Sequence, residues 1–414
     1  MATRTTSPLK LFLEIWGAVG GIIALMIAAG QSPPLLDSMR YYPILRQFPD
    51  NQLLCMILAV LLGAATYFIL LIHQTELDQR RRKRGLYSLF LMLLVPAGLW
   101  SCQLWMQPGS EALMKQLLAH CWVGYNPLDY DPTFRPDPSI ESIRRDLNWI
   151  HSAGFTGIVT FGSKGSLSGI PSKAHDEGLA VIMGVWNPND KAELGAAAAN
   201  KEWVLGYSVG HDKLDDYDSP GGYSLSELKA AVQFLRENTS RPVTTTERAK
   251  NYDEPGEDRL AQVSDWLFPD VHLSLDPESP DEPKCTLSEE GVPECVNQLI
   301  ASALKVEVLA RRLHRPLMLK MVTFPHDGPA GASPELQRAF FQRLTEQLGH
   351  NDSPLRKKPA LMVNSAFDAP WKTGVQYRPW DPYTGLISGD SAVSPAAAEV
   401  VRRCPGIAPV EPVR

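Results

Sequence analysis

Positive charge in excess is the first thing this chain lacks. Its 40 Lys and Arg are outnumbered by 46 Asp and Glu, for a net charge of −6, which removes the electrostatic footprint of a nucleic-acid-binding surface. No Gly-x-Gly-x-x-Gly follows the first strand-like segment of its polar part, so a doubly wound nucleotide fold has no support and no cofactor is expected. No Cys-x-x-Cys or Cys/His spacing suggests zinc, and no metal is expected. Cysteine itself is scarce, with 6 in 414 residues.

Long apolar runs are present, but only at one end. A mean hydropathy of −0.14 averages over an apolar first quarter and an ordinary polar remainder. Leu11 to Ala29, Leu53 to Ile72 and Leu86 to Met106 are each close to the ~20 residues that cross a ~30 Å hydrocarbon core. A cleavable signal would account for the first run alone, and no clear small-residue cleavage site follows it. Between the second and third lies Arg80-Arg-Arg-Lys-Arg84, which the positive-inside rule assigns to the cytoplasm. Arg4 and Lys10 then lie inside as well, the loop 31–51 outside, and everything after Gln107 outside. The expectation is an integral multi-pass protein of a bacterial inner membrane, with a cytoplasmic N-terminus and a periplasmic or extracellular C-terminal domain.

Four cysteines fall in that outer domain, Cys121, Cys285, Cys295 and Cys404, and four thiols allow three pairings. Cys285 and Cys295 flank a short loop and suit a local staple. Cys121 and Cys404 mark the two ends of the domain, which a closed barrel would bring together. Four free thiols are the alternative.

Strand-like and helix-like segments alternate along the outer domain. Strands are expected at Cys121–Tyr125, Phe155–Phe161, Leu179–Val185, Trp203–Val209, Pro242–Thr246, Trp266–Leu273, Pro316–Val322 and Ala360–Val363. Between them lie helical patterns, the first opening at Ser139 with Ile140, Ile143, Leu147 and Ile150 on one face. Others span Leu225–Glu237, Val296–Leu313 and Pro334–Leu348. Such a series is the size of a TIM barrel. The expected fold is α/β, a (β/α)8 TIM barrel over 121–404. A three-helix, all-α membrane anchor over 1–106 and a linker over 107–120 precede it, and a tail over 405–414 follows.

In such a barrel the functional residues stand at the C-terminal ends of the strands. Asn126 follows the first strand, Trp186 and Asn187 the third, and His211 and Asp212 the fourth. Glu247 follows the fifth, His272 closes the sixth, and Asp368 and Trp371 follow the eighth. Aromatic rings beside carboxylates suit a sugar, whose apolar face stacks on the ring while its hydroxyls bond the acids. An oligosaccharide or polysaccharide is the expected ligand.

Several of these stretches together resemble glycoside hydrolase family 17, the β-1,3-glucanases, and in particular its bacterial membrane-anchored branch. The resemblance covers roughly Trp122 to Arg403. Gly124-Tyr125-Asn126-Pro127 resembles the family's opening strand, which adds Tyr125 to the expected ligand contacts. Val209-Gly210-His211-Asp212 stands where the family reads Val-Gly-Asn-Glu, with the Glu as general acid/base. Pro316 to Pro325 aligns with the strand carrying Glu-Thr-Gly-Trp-Pro, whose Glu is the nucleophile. Phe367-Asp368-Ala-Pro-Trp371-Lys372 resembles Phe-Asp-Glu-Pro-Trp-Lys, the most specific of the matches.

The resemblance implies a barrel acting on β-glucan or a related exopolysaccharide, and it also implies that the catalytic pair is broken. Met321 stands at the nucleophile position, and a thioether cannot form the glycosyl ester. Retaining hydrolysis needs two carboxylates ~5–5.5 Å apart. Three readings remain. In a rearranged hydrolase or transglycosylase, Asp212 is the acid and Glu247 or Asp368 the base, at the ~6.5–9.5 Å of an inverting pair. A catalytically inactive glucan-binding module would guide polysaccharide beside a synthase or export protein. A metal or acid-base site of His211, Asp212 and His272 would serve unrelated chemistry.

Overall fold

The computed structural model describes residues 110–214, 222–252, 258–271, 273, 285–349, 355, 358–373, 378–402 and 404. The three apolar runs expected to cross a membrane lie outside the described residues, as does His272. Among the described residues no helix is long and apolar enough to cross a membrane.

Seven short strands carry the fold: β1 (Trp122–Tyr125), β2 (Gly157–Thr160), β3 (Ala180–Val185), β4 (Gly206–Val209), β5 (Val243–Thr245), β6 (Met318–Val322) and β7 (Ala360–Val363). All pair in parallel, in the order β5-β4-β3-β2-β1-β7-β6. Nearly every strand residue is buried, as expected when both faces of a parallel sheet are covered.

The two edges of this sheet are joined by residues 265–271. On one side Asp265 N donates to Val243 O (2.9 Å) and Asp270 N to Glu247 O (2.9 Å), while Ala249 N donates to Asp270 O (3.0 Å). On the other, Leu267 N donates to Pro316 O (2.8 Å), Lys320 N to Pro269 O (2.9 Å) and Val271 N to Lys320 O (3.1 Å). The sheet therefore curls into a TIM-barrel-like ring. Trp266–Leu273, expected as a regular strand, takes the sixth place in it as a chain of isolated bridges. Pro269 is the physical reason, since it has no N–H to give the ladder. The fourth strand starts later than expected, because Trp203 lies in the turn before β4.

Helices fill the connections: α2 (Ile140–Ser152), α3 (Ile170–Asp176), α4 (Lys191–Ala199), α5 (Leu225–Thr239), α6 (Asp258–Val263), α7 (Val292–Arg312), α8 (Pro334–Gly349) and, after β7, α9 (Pro395–Val401). Their starts are chemically marked. Ser139 caps α2 by accepting from Ser142 N, and Asp190 caps α4 through Ala192 N and Glu193 N. Ser224 and Glu227 form a reciprocal capping box on α5. Each such cap contributes about 1 kcal/mol. The expected stripe on α2 is buried at Ile143, Leu147 and Ile150, while Ile140 lies out at 36% exposure.

The apolar side chains form two clusters. The larger lies between sheet and helices. The smaller fills the barrel interior with Trp122, Val159, Ile182, Trp266, Phe268, Met318, Ala360 and Met362. Helix α1 (Ser110–Leu118), inside the stretch expected to be linker, adds Leu113 and Leu117 to that cluster. It plugs the N-terminal end of the barrel, and Trp122 Nε1 donates to Leu117 O at 2.7 Å. Two bulky indoles fit because glycines face them. A Cβ on Gly157 would come 2.5 Å from the Trp122 ring, and one on Gly206 3.1 Å from that of Trp266.

Both expected cysteine pairs are bonded, Cys121 to Cys404 and Cys285 to Cys295. The first closes a loop of 283 residues, joining the residue before β1 to the residues after α9. Replacing Cys121 and Cys404 together with serine is expected to cost about 2–5 kcal/mol. Urea unfolding of the full chain measures this, and an unchanged midpoint would show that the ring holds without its staple.

Candidate functional site

Above the apolar interior the barrel turns polar. Asp270 comes from the bridging segment and Lys320 from β6, side by side as backbone bridge partners. Lys320 is 5% exposed, and its ammonium reaches across the barrel to lie 5.7 Å from the centre of the Phe161 ring. Met321 follows it in left-handed backbone (φ +56°), inside a register shift between β6 and β7. This is a β-bulge, with one extra residue against the partner strand. Met321 packs against the interior cluster and so belongs to the apolar filling.

The end of β4 carries the next group. Gly210 (φ +89°) and Asp212 (φ +65°) are both left-handed, a costly backbone for an aspartate. A Cβ on Gly210 would collide with the Tyr223 hydroxyl. That hydroxyl is the local organiser. It accepts from His211 N (2.7 Å) and Lys213 N (3.4 Å) and donates to Glu247 Oε1 (2.7 Å). Glu247 also accepts from Leu214 N. Its Oε2 is buried without a partner among the described residues, and so is Oδ1 of Asp212.

Electrostatics divides these acids. Burial first, then the adjacent Asp270 carboxylate, pushes the Asp212 carboxyl well above the usual range, and Lys320 offsets this only in part. Asp212 is hydrogen-bonded to Asp270, the arrangement in which two carboxylates share a proton. Burial pushes Glu247 up to about 7 against the hydrogen bond from Tyr223. Burial, with Lys320 and Lys213 adding to it, lowers His211 to about 4, so its imidazole is neutral near pH 7. Since Nδ1 lies 2.8 Å from the Trp186 carbonyl, which can only accept, Nδ1 carries the proton and Nε2 presents a lone pair.

Trp186, 45% exposed, lies flat on the His211 ring, with centroids 3.6 Å apart and planes within 20°. Glu193, 2% exposed, fixes the backbone beneath it by accepting from Trp186 N (2.9 Å), Asn187 N (3.0 Å) and Ser163 N (3.2 Å). The mouth thus has a rigid aromatic plate next to a set of carboxyls.

The structure brings together Asp212, Glu247, His211 and Trp186. Asn187 stands beside them, with its side chain closing a turn onto Asn189 N (2.9 Å). Asn126 is partly exposed after β1. Trp371 packs edge-on against Tyr130 at 5.7 Å. Tyr125, expected at the ligand, is instead 1% exposed, and its hydroxyl donates to Asp146 of α2 (3.2 Å). It occupies an outward-facing strand position, in the layer between sheet and helix. Asp368 is engaged elsewhere, accepting from His326 Nε2 (3.1 Å) and Gly385 N (2.7 Å). Among the described residues no group of His, Cys, Asp and Glu is placed to hold a metal ion. Sequence reasoning missed Asp270, Lys320, Tyr223 and Glu193.

No family model and no curated protein matches the chain. Solved structures do resemble it. The neighbours are glycoside hydrolases. A GH5_18 from Bifidobacterium longum subsp. infantis shares 13% identity at a TM-score of 0.48, over 69% of this chain and 78% of its own. The β-glucuronidase of Ruminococcus gnavus shares 12% at 0.48, over 69% and 50%. That of Dictyoglomus thermophilum shares 15% at 0.45, over 66% and 48%, so the chain spans about half of each glucuronidase. Similarity of this degree says nothing of this chain's substrate.

The raised Glu247 carboxyl links the site to stability. The unfolded chain releases this proton near pH 4.5 and the folded protein near 7. Its contribution is therefore full below pH 4.5 and is lost as pH rises through 7, by up to about 3 kcal/mol. Asp212 acts in the same direction, while His211 opposes it, its contribution being full above pH 6.5 and lost as pH falls through about 4. Urea unfolding of wild type and Glu247→Gln across pH 4–8 isolates the Glu247 part. The difference between the two curves is expected to change across that window, and a constant difference would refute the assignment.

Proposed function

We propose that the barrel is a glycan-binding module without retaining hydrolysis, one that takes a chain of β-glucan or a related exopolysaccharide across its mouth. The observation that carries this reading is Trp186, exposed and held flat on a neutral His211 directly beside the mouth carboxyls. Such a ring offers the face a pyranose stacks on, while the acids below offer hydrogen bonds to its hydroxyls. Three features favour binding over cleavage. Met321 supplies no nucleophile. Asp212 is bonded to Asp270, which with burial holds its carboxyl well above the usual range. Glu247 is tied to Tyr223.

The same proposal sets the module outside a bacterial inner membrane on its three N-terminal apolar runs, beside a polysaccharide synthase or exporter. The basic run 80–84 supports that orientation, and two disulfides suit an oxidising compartment.

Isothermal titration of the purified full chain against β-1,3-glucan and bacterial exopolysaccharides should show binding without release of reducing ends. Trp186→Ala is expected to weaken it about tenfold or more, in keeping with the ~1–2 kcal/mol of a stacked ring. Release of reducing sugar that disappears in Glu247→Gln would replace this reading with a hydrolase. Absence of binding to every glycan tested would remove it.

A further inference from the structure

Two lysines at the mouth have no use in the site as described. Lys320 projects from β6 into the barrel, and Lys372 follows β7, its ammonium 5.6 Å from the centre of the Trp371 ring. The two ammonium groups lie within electrostatic reach of each other. Among the described residues, neither ammonium takes part in a hydrogen bond or a close ion pair; each lies by an aromatic ring, and carboxyls act on it only from farther off. For Lys320, 5% exposed, this leaves a buried ammonium with three donors unmet, a costly state unless something polar completes it.

The neighbouring acids do not complete it. Asp212 and Asp270 are bonded to each other, and the raised Asp212 carboxyl leaves that pair short of two negative charges. Glu247 is turned to Tyr223. Asp381, the acid that acts on Lys372 most strongly, accepts from Arg378 N. Burial lowers the Lys372 ammonium most and the neighbouring Lys320 adds to it, while Asp381 and Asp270 offset this only in part.

We infer that the mouth holds an acidic sugar, a hexuronate residue of the glycan, with its carboxylate between Lys320 and Lys372. A carboxylate there accepts from both ammonium groups and relieves their repulsion. The surroundings suit the rest of such a residue. The Trp371 ring stands beside Lys372. Asn364, 2% exposed with Oδ1 unpartnered among the described residues, offers an acceptor for a hydroxyl. Its Oδ1 lies at the level of the Phe161 ring under Lys320, since a Cβ on Gly124 would come 2.6 Å from the one and 3.3 Å from the other. This inference rests on the glycan-binding reading and specifies its ligand class.

The test is calorimetric titration of the full chain with three polymers of matched length: a polyuronate, the same polymer with its carboxyl groups reduced to alcohols, and neutral β-1,3-glucan. The polyuronate is expected to bind at least tenfold more tightly than its reduced form, the scale of one charge-assisted hydrogen bond. Lys320→Met and Lys372→Gln should each abolish that preference, while Lys229→Gln, which removes an exposed charge from α5, should keep it. Thermal melting checks the fold, and if Lys320→Met does not fold, Lys372→Gln decides. Equal affinity for the polyuronate and its reduced form, or a preference that survives in the folded variants, overturns the inference and leaves glycan binding standing. Failure to bind any of the three polymers overturns both.

Discussion

The arrangement depends on the backbone of Asp270. Its N–H and C=O reach back to Glu247 and Ala249 while its neighbours pair with Lys320, and these bonds close the sheet where the interior turns polar. Without them β5 and β6 would be open edges, and four ionisable side chains would have no common space. Closure also forces the interior to be filled. The lower part is filled by indoles and aliphatics, with α1 as a plug. The upper part is filled by groups that can hydrogen-bond, which is why the mouth is crowded with buried oxygens.

The fold was legible because a parallel sheet covered on both faces writes its strands as unbroken apolar runs. The sixth was read as a strand for that reason, although Pro269 leaves it only bridges. The site was legible where a polar residue stood directly after such a run, as with His211, Asp212 and Glu247. It was not legible where the residue sat inside a run or after a long gap. Lys320 interrupts Met-Leu-Lys-Met-Val as a single charge, and only the ring shows that it points inward. Asp270 follows a proline and reads as a loop residue. Tyr223 stands twelve positions after His211, and no local pattern predicts that its hydroxyl gathers two amides and a carboxyl. Glu193 looks like an ordinary first-turn acid of a capped helix. Tyr125 failed the other way, since strand alternation turned its side chain toward α2.

The charges at the mouth are nearly the reverse of what retaining sugar cleavage uses. At the bulge of β6 the ring has a thioether, with an ammonium one residue earlier. The carboxyls that remain are raised by burial or bonded to each other. Under the reading proposed above, raised acids beside buried cations suit a ligand that brings its own negative charge better than they suit an oxocarbenium ion. The left-handed backbone at residue 321 belongs to the bulge, which turns that side chain into the filling of the barrel.

The stacking of Trp186 on His211 also bears on the thermodynamics of recognition. An exposed tryptophan normally samples several rotamers, and a ligand that stacks on it must first freeze them, at about 0.5–1.5 kcal/mol for an interfacial side chain. Here the imidazole beneath and the Glu193 carboxylate behind have already immobilised the ring. Its ordering entropy was lost on folding. A flat ligand arriving at this surface meets one fixed plane, so selectivity falls on the ligand face that lies against it.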